Sequence, residues 1–221
     1  MQRPNTILTI TDSLSLPRHN APESVSYDRT WPRLLAKTLH TTVVNLAIGG
    51  GTIGELYRQT NYYEAIAPGV VIIQSGIVDC VPRALRQSES ALINYFRLLR
   101  FLFFKVVGVQ RLRRWRRINY TPPKRFAYFI DALCARYKDA KIIWIGILPP
   151  SAAYEARLPG VTKRIVQYNE LLRERASAHG FELINASDMP REGIMSDHQH
   201  LNEVGHAWLA ERLTESLTIT S

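Results

Sequence analysis

Cysteine is scarce in this sequence, and long apolar runs are missing. Only Cys80 and Cys134 occur in 221 residues, which excludes a disulfide framework and offers no metal-ligand spacing. We interpret both as small, buried hydrophobic residues. No apolar run reaches the roughly 18 residues of a membrane-spanning helix, and the N-terminus lacks the apolar region of a signal peptide. These absences favour a reducing, cytoplasmic setting.

Acidic residues are absent between Ser90 and Ile130, where ten Lys and Arg residues occur. The chain has 28 Lys and Arg against 19 Asp and Glu in total, so the remainder carries a net charge of −1. The basic charge is therefore concentrated in one insert at about residues 90–125. With 46% hydrophobic residues, the chain can bury one core, which predicts a single domain over residues 1–221 that carries this insert.

Short, almost continuously apolar runs alternate with helical patterns along the chain. Strands are predicted at Thr6–Thr11, Thr42–Leu46, Val70–Gln74, Lys141–Ile147 and Phe181–Ile184. Helices are predicted at Trp31–Leu39, Ile53–Gln59, around Glu89–Val107, Pro123–Tyr137, Val161–His179 and Asn202–Ser216. This alternation predicts a three-layer α/β/α sandwich with a five-stranded parallel sheet of the flavodoxin-like class.

Ligands of such sheets bind outside the carboxyl ends of the strands. The residues that follow the five predicted strands are Ser13, Gly49-Gly50-Gly51, Gly76–Arg83, Pro149-Pro150, and Asp197 with His200. We therefore expect the chemically active side chains to meet at one edge of the sheet.

The sequence offers the three groups of a serine nucleophile with its base and orienting acid, namely Ser13, His200 and Asp197. A serine hydroxyl needs a base to take its proton, and a histidine base needs an acceptor that orients it. The i, i+3 spacing of Asp197 and His200 lets one turn present both side chains on the same side. His198 is a rival base, but a turn would point it away. The N–H after Ser13 and one within residues 49–51 are candidate donors to an oxyanion.

Four blocks, in order, resemble the SGNH (GDSL) hydrolase superfamily. Thr11-Asp12-Ser13-Leu14 resembles its Gly-Asp-Ser-Leu block, and residues 45–52 resemble the second block, with Gly50 at the oxyanion glycine. Gly76-Ile77-Val78-Asp79 falls where the Gly-x-Asn-Asp block should be. Asp197-His198-Gln199-His200 resembles the Asp-x-x-His block. The matches span nearly the whole chain.

The resemblance implies a role for each matching residue. Ser13 would be the nucleophile, His200 the base and Asp197 its orienting acid, with the N–H groups of Ser13 and Gly50 as oxyanion donors. The family has a parallel five-stranded sheet and needs no metal or organic cofactor, so none is expected here.

Two departures indicate a divergent subgroup, with Gly-Ile-Val-Asp-Cys in place of the third block. Thr11 replaces a glycine, which changes how tightly the loop turns. Val78 replaces an asparagine whose amide would be the third oxyanion donor, and such a loss costs about 3–4 kcal/mol. Arg83 and Gln74 are candidate substitutes. Five positions are expected to bind substrate or support the site, namely Asp12, Gly76, Val78, Asp79 and Arg83.

Simpler interpretations exist for single residues. Asp12-Ser13 could only cap a helix, the three glycines could form a plain turn, and His200 could be a helix-entry histidine. Asp79 could order loop backbone rather than touch substrate. The aligned Asp197 and His200 pair favours the catalytic interpretation of Ser13.

The insert between residues 95 and 117 combines apolar side chains with Arg and Trp. Such a segment suits a membrane interface, where each basic residue contributes about 1 kcal/mol, or a lid over the pocket. A homo-oligomer contact ranks next. Nucleic-acid binding ranks last and is not expected, because the chain shows no nucleic-acid motif.

The sequence thus favours a serine esterase or acyl-transfer enzyme that acts through an acyl-enzyme. Its substrate would be an O-acyl ester, with acetyl preferred, of a carbohydrate or similar polar molecule. Val78 supports an alternative, a catalytically weak protein of this fold that binds a glycan or a partner. Residues 95–117 support another, a lipid esterase or thioesterase at the membrane surface.

Overall fold

The computed structural model describes residues 6–20, 23–86, 89, 112, 115, 116 and 118–219. Its strands are β1 (Thr6–Thr11), β2 (Arg18–Asn20), β3 (Glu23–Val25), β4 (Thr42–Ala47), β5 (Val70–Gln74), β6 (Lys141–Ile145) and β7 (Glu182–Ile184). Its α-helices are α1 (Trp31–Leu39), α2 (Ile53–Gln59), α3 (Ile77–Cys80), α4 (Pro123–Arg136), α5 (Ala152–Arg157), α6 (Val161–His179) and α7 (Glu203–Ile219). Short 3-10 helices lie at Ser13–Ser15, Tyr27–Arg29, Thr60–Tyr63, Ala186–Asp188 and Arg191–Gly193.

Five strands form one sheet in the order β4-β1-β5-β6-β7, and every pairing in it is parallel. Thr11 pairs with Ala47 and with Gln74, and Gln74 pairs with Ile145, which pairs with Ile184. The strands therefore end at one common line, which we call the carboxyl edge. This confirms the predicted α/β fold with a five-stranded parallel sheet.

Both faces of the sheet are covered by helices, because its strands carry apolar side chains on each side. On one face, Trp31 and Leu35 of α1 pack with Leu209 of α7 against the sheet. On the other, Phe126 and Tyr168 belong to a larger cluster formed with α2, α3, α4 and α6. These two apolar layers anchor the strands that end at the carboxyl edge.

The structure corrects the end of the fourth predicted strand. β6 ends at Ile145 rather than at Ile147. The backbone N–H of Ile147 donates to Oδ1 of Asn169, and its carbonyl accepts from Nδ2 of Asn169, each at 2.8 Å. An α6 side chain thus satisfies the backbone groups that a longer strand would have offered to β7.

Two further differences concern segments between the predicted elements. The antiparallel β2–β3 hairpin and the short helices α3 and α5 are additions to the prediction. The helix predicted around Glu89–Val107 lies, apart from Glu89, outside the described residues.

The last helix is attached to the preceding loop by two glycines in contact. A Cβ added at Gly205 would overlap the carbonyl oxygen of Gly193, and this oxygen already accepts from Asn202 at 3.0 Å. Asn202 caps α7 through its side chain, which accepts from Val204 and Gly205. The close approach fixes the loop that precedes α7 at the carboxyl edge.

We predict that Gly205→Ala lowers the free energy of unfolding by about 1–3 kcal/mol, the range for overpacked sites. The added methyl group meets backbone rather than a flexible side chain, so the loop or the helix must shift. Chemical denaturation of the purified variant measures the change.

Gly49→Ala is the matched control. Its Cβ would lie 3.8 Å from the nearest atom, Cδ1 of Leu16, which is an ordinary contact. Equal stability of the Gly205→Ala variant and the wild type would contradict the predicted contact.

Candidate active site

Ser13 opens a one-turn 3-10 helix immediately after β1. Asp12 precedes it, and one of its carboxylate oxygens accepts from the backbone N–H of Leu14 at 3.0 Å. The backbone N–H of Leu14, the one after Ser13, is therefore occupied. This corrects the expectation that it donates to an oxyanion. Asp12 is fully buried, and burial raises its pKa to about 7. The Asp12 side chain thus shapes the turn that presents Ser13.

Asp197 and His200 lie in a small closed loop before α7. Its base is an antiparallel bridge between Ile194 and Leu201. Within it, Oδ1 of Asp197 accepts from the backbone N–H groups of Gln199 and His200, each at 2.9 Å. Oδ2 of Asp197 lies 2.5 Å from Nδ1 of His200. The carboxylate therefore fixes both the turn and the imidazole ring.

The structure brings Ser13 and His200 together. Oγ of Ser13 lies 3.0 Å from Nε2 of His200, so a hydroxyl, an imidazole and a carboxylate form one continuous relay. Ser13 is 6% exposed and the His200 side chain 14%, so the relay is shielded but still reached by solvent. His198, the rival base, has a left-handed φ of 64° and makes no hydrogen bond to Ser13 in the described structure.

The electrostatics of the relay suit proton transfer from serine to histidine. Burial lowers the pKa of His200 and the charge of Arg18 adds to this, whereas the hydrogen bond to Asp197 opposes both. Burial acts to raise the pKa of Asp197, but hydrogen bonds from His200 and Gln199 outweigh it and lower that pKa. His200 is thus neutral, and Asp197 ionised, near neutral pH.

Two backbone N–H groups in the turns after β1 and β4 have no partner among the described residues. Neither the N–H of Ser13 nor that of Gly50 donates a hydrogen bond to any described residue. Gly50 follows β4, has a φ of 70° and has open space where a side chain would lie. A left-handed φ of this kind favours glycine.

A cluster of hydroxyl groups joins the end of β1 to β4. The hydroxyl of Thr9 donates to Oδ1 of Asn45 at 2.6 Å, and those of Thr11 and Ser15 lie 3.4 and 3.3 Å from the same oxygen. Thr11 and Ser15 also contact each other. Thr11 therefore holds the Ser13 turn to the neighbouring strand.

The segment after β5 carries buried apolar side chains. Gly76 has a φ of 124°, and a Cβ there would lie 2.5 Å from Ile147. Val78 is only 4% exposed and belongs to the same apolar cluster as Leu14. Its neighbour Asp79 is fully buried and accepts from the backbone N–H of Ile53 at 3.1 and 3.2 Å.

Asp79 thus caps the start of α2, next to the glycine turn. Burial raises the pKa of Asp79 to about 6, against hydrogen bonds from Thr121 and Ile53. The carboxyl group is enclosed, so it orders the backbone near Gly50 and does not face solvent. This geometry matches the simpler of the two interpretations of Asp79.

The described contacts of the two candidate substitutes, Gln74 and Arg83, are made with groups other than Ser13. Oε1 of Gln74 accepts from the indole N–H of Trp31 at 3.2 Å, in the interior of the sheet. Arg83 pairs its backbone with Ile118, and its guanidinium lies 5.1 Å from the ring centroid of Tyr120. Neither side chain forms a hydrogen bond with Ser13 in the described structure.

The ends of the basic insert are joined beside the carboxyl edge. Arg83 and Ile118 exchange backbone hydrogen bonds of 2.8 and 3.2 Å. The guanidinium of Arg116 binds both carboxylate oxygens of Glu89, at 2.7 and 2.8 Å. The predicted membrane, lid and oligomer roles of residues 95–117 fall almost wholly outside the described residues.

No described helix has both the length and the apolar content that crossing a bilayer requires. Among the residues with described positions, no group of three or more His, Cys, Asp and Glu side chains could hold a metal ion.

Cys80 and Cys134 are buried, which confirms their interpretation as core residues.

Several contacts around the relay join segments far apart in sequence and were missed by the sequence analysis. The Glu23 carboxylate accepts from the backbone N–H of Ser196, at 3.1 and 3.0 Å, and from its hydroxyl at 2.6 Å. The Tyr154 hydroxyl donates to Oε1 of Gln199 at 2.9 Å. The only sequence signal for them was the polar character of the loops.

Comparisons with known proteins agree with this geometry. Residues 12–208 match a family model described as the GDSL-like lipase/acylhydrolase family, whereas no curated protein matches the sequence. A lipase/acylhydrolase from Enterococcus faecalis is similar in structure, with a TM-score of 0.67, 16% identity, and 98% of this chain and 95% of that chain covered.

Two esterases of known structure are also similar. The psychrotrophic esterase EstA from Pseudoalteromonas sp. has a TM-score of 0.61 and 18% identity, with 96% of each chain covered. The acetyl xylan esterase AlAXEase has a TM-score of 0.65 and 13% identity, with 96% of this chain and 98% of that chain covered. At these identities the structures establish the fold, and the family match carries the assignment. The chain belongs to the GDSL-like lipase/acylhydrolase family and is a carboxylic ester hydrolase of the GDSL type.

Proposed function

We propose that the protein hydrolyses O-acyl esters through a catalytic triad of Ser13, His200 and Asp197. The observation that carries this proposal is the 3.0 Å contact between Oγ of Ser13 and Nε2 of His200. It is a hydrogen-bond distance suited to proton transfer, and Asp197 orients the ring from its other nitrogen.

In the proposed reaction, Oγ of Ser13 attacks the acyl carbonyl while Nε2 of His200 takes the hydroxyl proton. The tetrahedral intermediate collapses, His200 gives that proton to the departing alcohol, and an acyl-enzyme remains. Water attacks the acyl-enzyme with His200 again as the base, which releases the carboxylic acid and restores Ser13. An acceptor hydroxyl in place of water would make the reaction an acyl transfer.

The N–H groups of Ser13 and Gly50 are the proposed oxyanion donors. Both are free of other partners within the described structure, and both follow strands that end at the carboxyl edge. Asp12, Gly76 and Asp79 support them by shaping the three turns after β1, β4 and β5. Arg83 is assigned to the wall of the site, where it stacks on Tyr120.

The substrate class we favour is a short-chain, preferably acetyl, ester of a carbohydrate or a similarly polar alcohol. The acetyl xylan esterase among the similar structures supports this class, although its low identity establishes only the fold. A short acyl group also suits a relay that is shielded on most sides.

Val78 favours a second candidate, a slow member of the family whose main role is to bind its ligand. The side chain is buried in the core and has no donor, so two backbone N–H groups alone would hold the oxyanion. We interpret the Gly-Ile-Val-Asp-Cys segment as the mark of a divergent subgroup with this weaker oxyanion site.

We predict that Ser13→Ala lowers kcat by at least about 10,000-fold, as loss of a nucleophile does in related devices. The variant should also fail to react with a fluorophosphonate probe that labels the wild type. Rates on p-nitrophenyl acetate, butyrate and palmitate measure the loss and show which acyl length is preferred.

Ser187→Ala is the matched control for this variant. Ser187 is exposed and lies in the short 3-10 helix Ala186–Asp188, so its loss should leave both the rate and the labelling unchanged. Full activity of Ser13→Ala would refute the assignment of the nucleophile, and a clear preference for palmitate would refute the preference for acetyl.

The pH dependence of the activity should also reflect the lowered pKa of His200. The base must be neutral to accept the proton, so kcat/KM falls as the pH drops through the pKa of His200. Because burial and Arg18 outweigh Asp197 and lower this pKa, we expect the midpoint of the acid limb below the ordinary histidine value of about 6.5. A midpoint at or above that value in the pH profile would contradict the described environment.

Replacing Val78 tests the two candidate functions against each other. Removal of one oxyanion donor lowers kcat by about 100- to 1,000-fold, so Val78→Asn should raise kcat by about 10-fold or more if its amide reaches the oxyanion. Val78→Thr, which keeps the size of the side chain without an amide, is the control. An unchanged kcat in a folded Val78→Asn variant would refute the idea that the missing amide limits turnover.

A further inference from the structure

The β2–β3 hairpin is fixed beside the catalytic loop. Glu23 of β3 holds Ser196, the residue before Asp197, through its backbone N–H and its hydroxyl. In the hairpin, Arg18 pairs with Val25, and Arg18 follows Ser13 by five positions in the sequence. The hairpin is therefore connected to both parts of the relay. The backbone between Ser13 and Arg18 connects it to the nucleophile, and the contact of Glu23 with Ser196 connects it to the loop of Asp197 and His200.

Arg18 has no partner for its charge in the described part of the chain. Its side chain is partly buried, and its Nε atom is buried without a hydrogen-bond partner. Arg116 shows the contrast, because its guanidinium is bound at both ends by the Glu89 carboxylate. A buried N–H that lacks an acceptor is unfavourable, which favours a ligand that supplies one.

The carboxylates nearby do not neutralise Arg18. Asp197 is bound by His200 and by its own turn, and Asp12 is enclosed and accepts from Leu14. Arg18 nevertheless lies close enough for its charge to lower the pKa of both Asp12 and His200. A cation at this place opposes the imidazolium that forms when His200 takes the serine proton.

We propose that Arg18 binds an anionic group, a carboxylate or an equivalent oxyanion, on the alcohol portion of the ester substrate. A bound anion would supply the missing acceptor for Nε and offset the repulsion between Arg18 and the protonated His200. The planar fork of arginine suits such oxyanions. We assign the group to the alcohol because the hairpin that carries Arg18 is held by Glu23 against Ser196, beside the loop of His200, and His200 protonates the departing alcohol. This inference rests on the proposed hydrolase function of Ser13.

A matched pair of acetyl esters tests the assignment. The kcat/KM values for 4-acetoxybenzoate and for its neutral methyl ester, each divided by the spontaneous hydrolysis rate of that ester, are compared in the wild type and in Arg18→Gln. We expect the wild type to prefer the anionic ester by about 10- to 100-fold, the range for one hydrogen bond to a charged group. Arg18→Gln should remove most of this preference.

Two further variants separate recognition from general effects. Arg173→Gln removes one positive charge from an exposed position on α6 and should keep the wild-type preference. Arg18→Lys keeps the charge but not the fork, and should give an intermediate preference even if Arg18→Gln folds poorly. Thermal unfolding of each variant shows which of them are folded.

The outcomes distinguish failure of the anion site from failure of the hydrolase assignment. Equal rates on the two esters in the wild type, or a preference that survives in Arg18→Gln, would overturn the anion site and leave the esterase intact. If neither ester is hydrolysed, calorimetric titration of the Ser13→Ala variant with each ester decides the matter. Tighter binding of the anionic ester that depends on Arg18 supports the site, and equal binding overturns it.

Discussion

The common line at which five parallel strands end is the constraint on which the site depends. Because Thr11, Ala47 and Gln74 are paired across the sheet, the turns that follow them start from neighbouring points. Ser13, Gly50 and Asp79 occupy these turns, and the loop with His200 reaches the same edge. The two apolar layers keep these turns in position, because close-packed cores resist small displacements.

This constraint explains why much of the molecule was predictable. Nearly continuous apolar strands alternating with helices fix the fold class, and the parallel sheet then places residues by their position after each strand. Ser13 and His200, separated by 187 residues, meet at 3.0 Å. The resemblance to the GDSL blocks added the roles, which spacing alone could not supply.

The remaining features depend on which polar group reaches which backbone atom, and no local pattern encodes that. The Asp12 carboxylate takes the Leu14 N–H, so the N–H predicted to face the oxyanion is occupied. Asn169 ends β6 from a different helix, and Glu23 reaches Ser196 across most of the chain. Such contacts join residues that are far apart in the sequence. They can be identified only from the tertiary structure, which brings these residues together.

The contacts that join the two ends of the basic insert have a consequence for the site. The Arg83–Ile118 bridge and the Arg116–Glu89 ion pair join the two ends of this segment at a fixed separation, whatever lies between them. The segment after β5 and the segment before α4 are thus held together by contacts of their own, so substitutions between the joined ends can change what surrounds the site without displacing the catalytic edge.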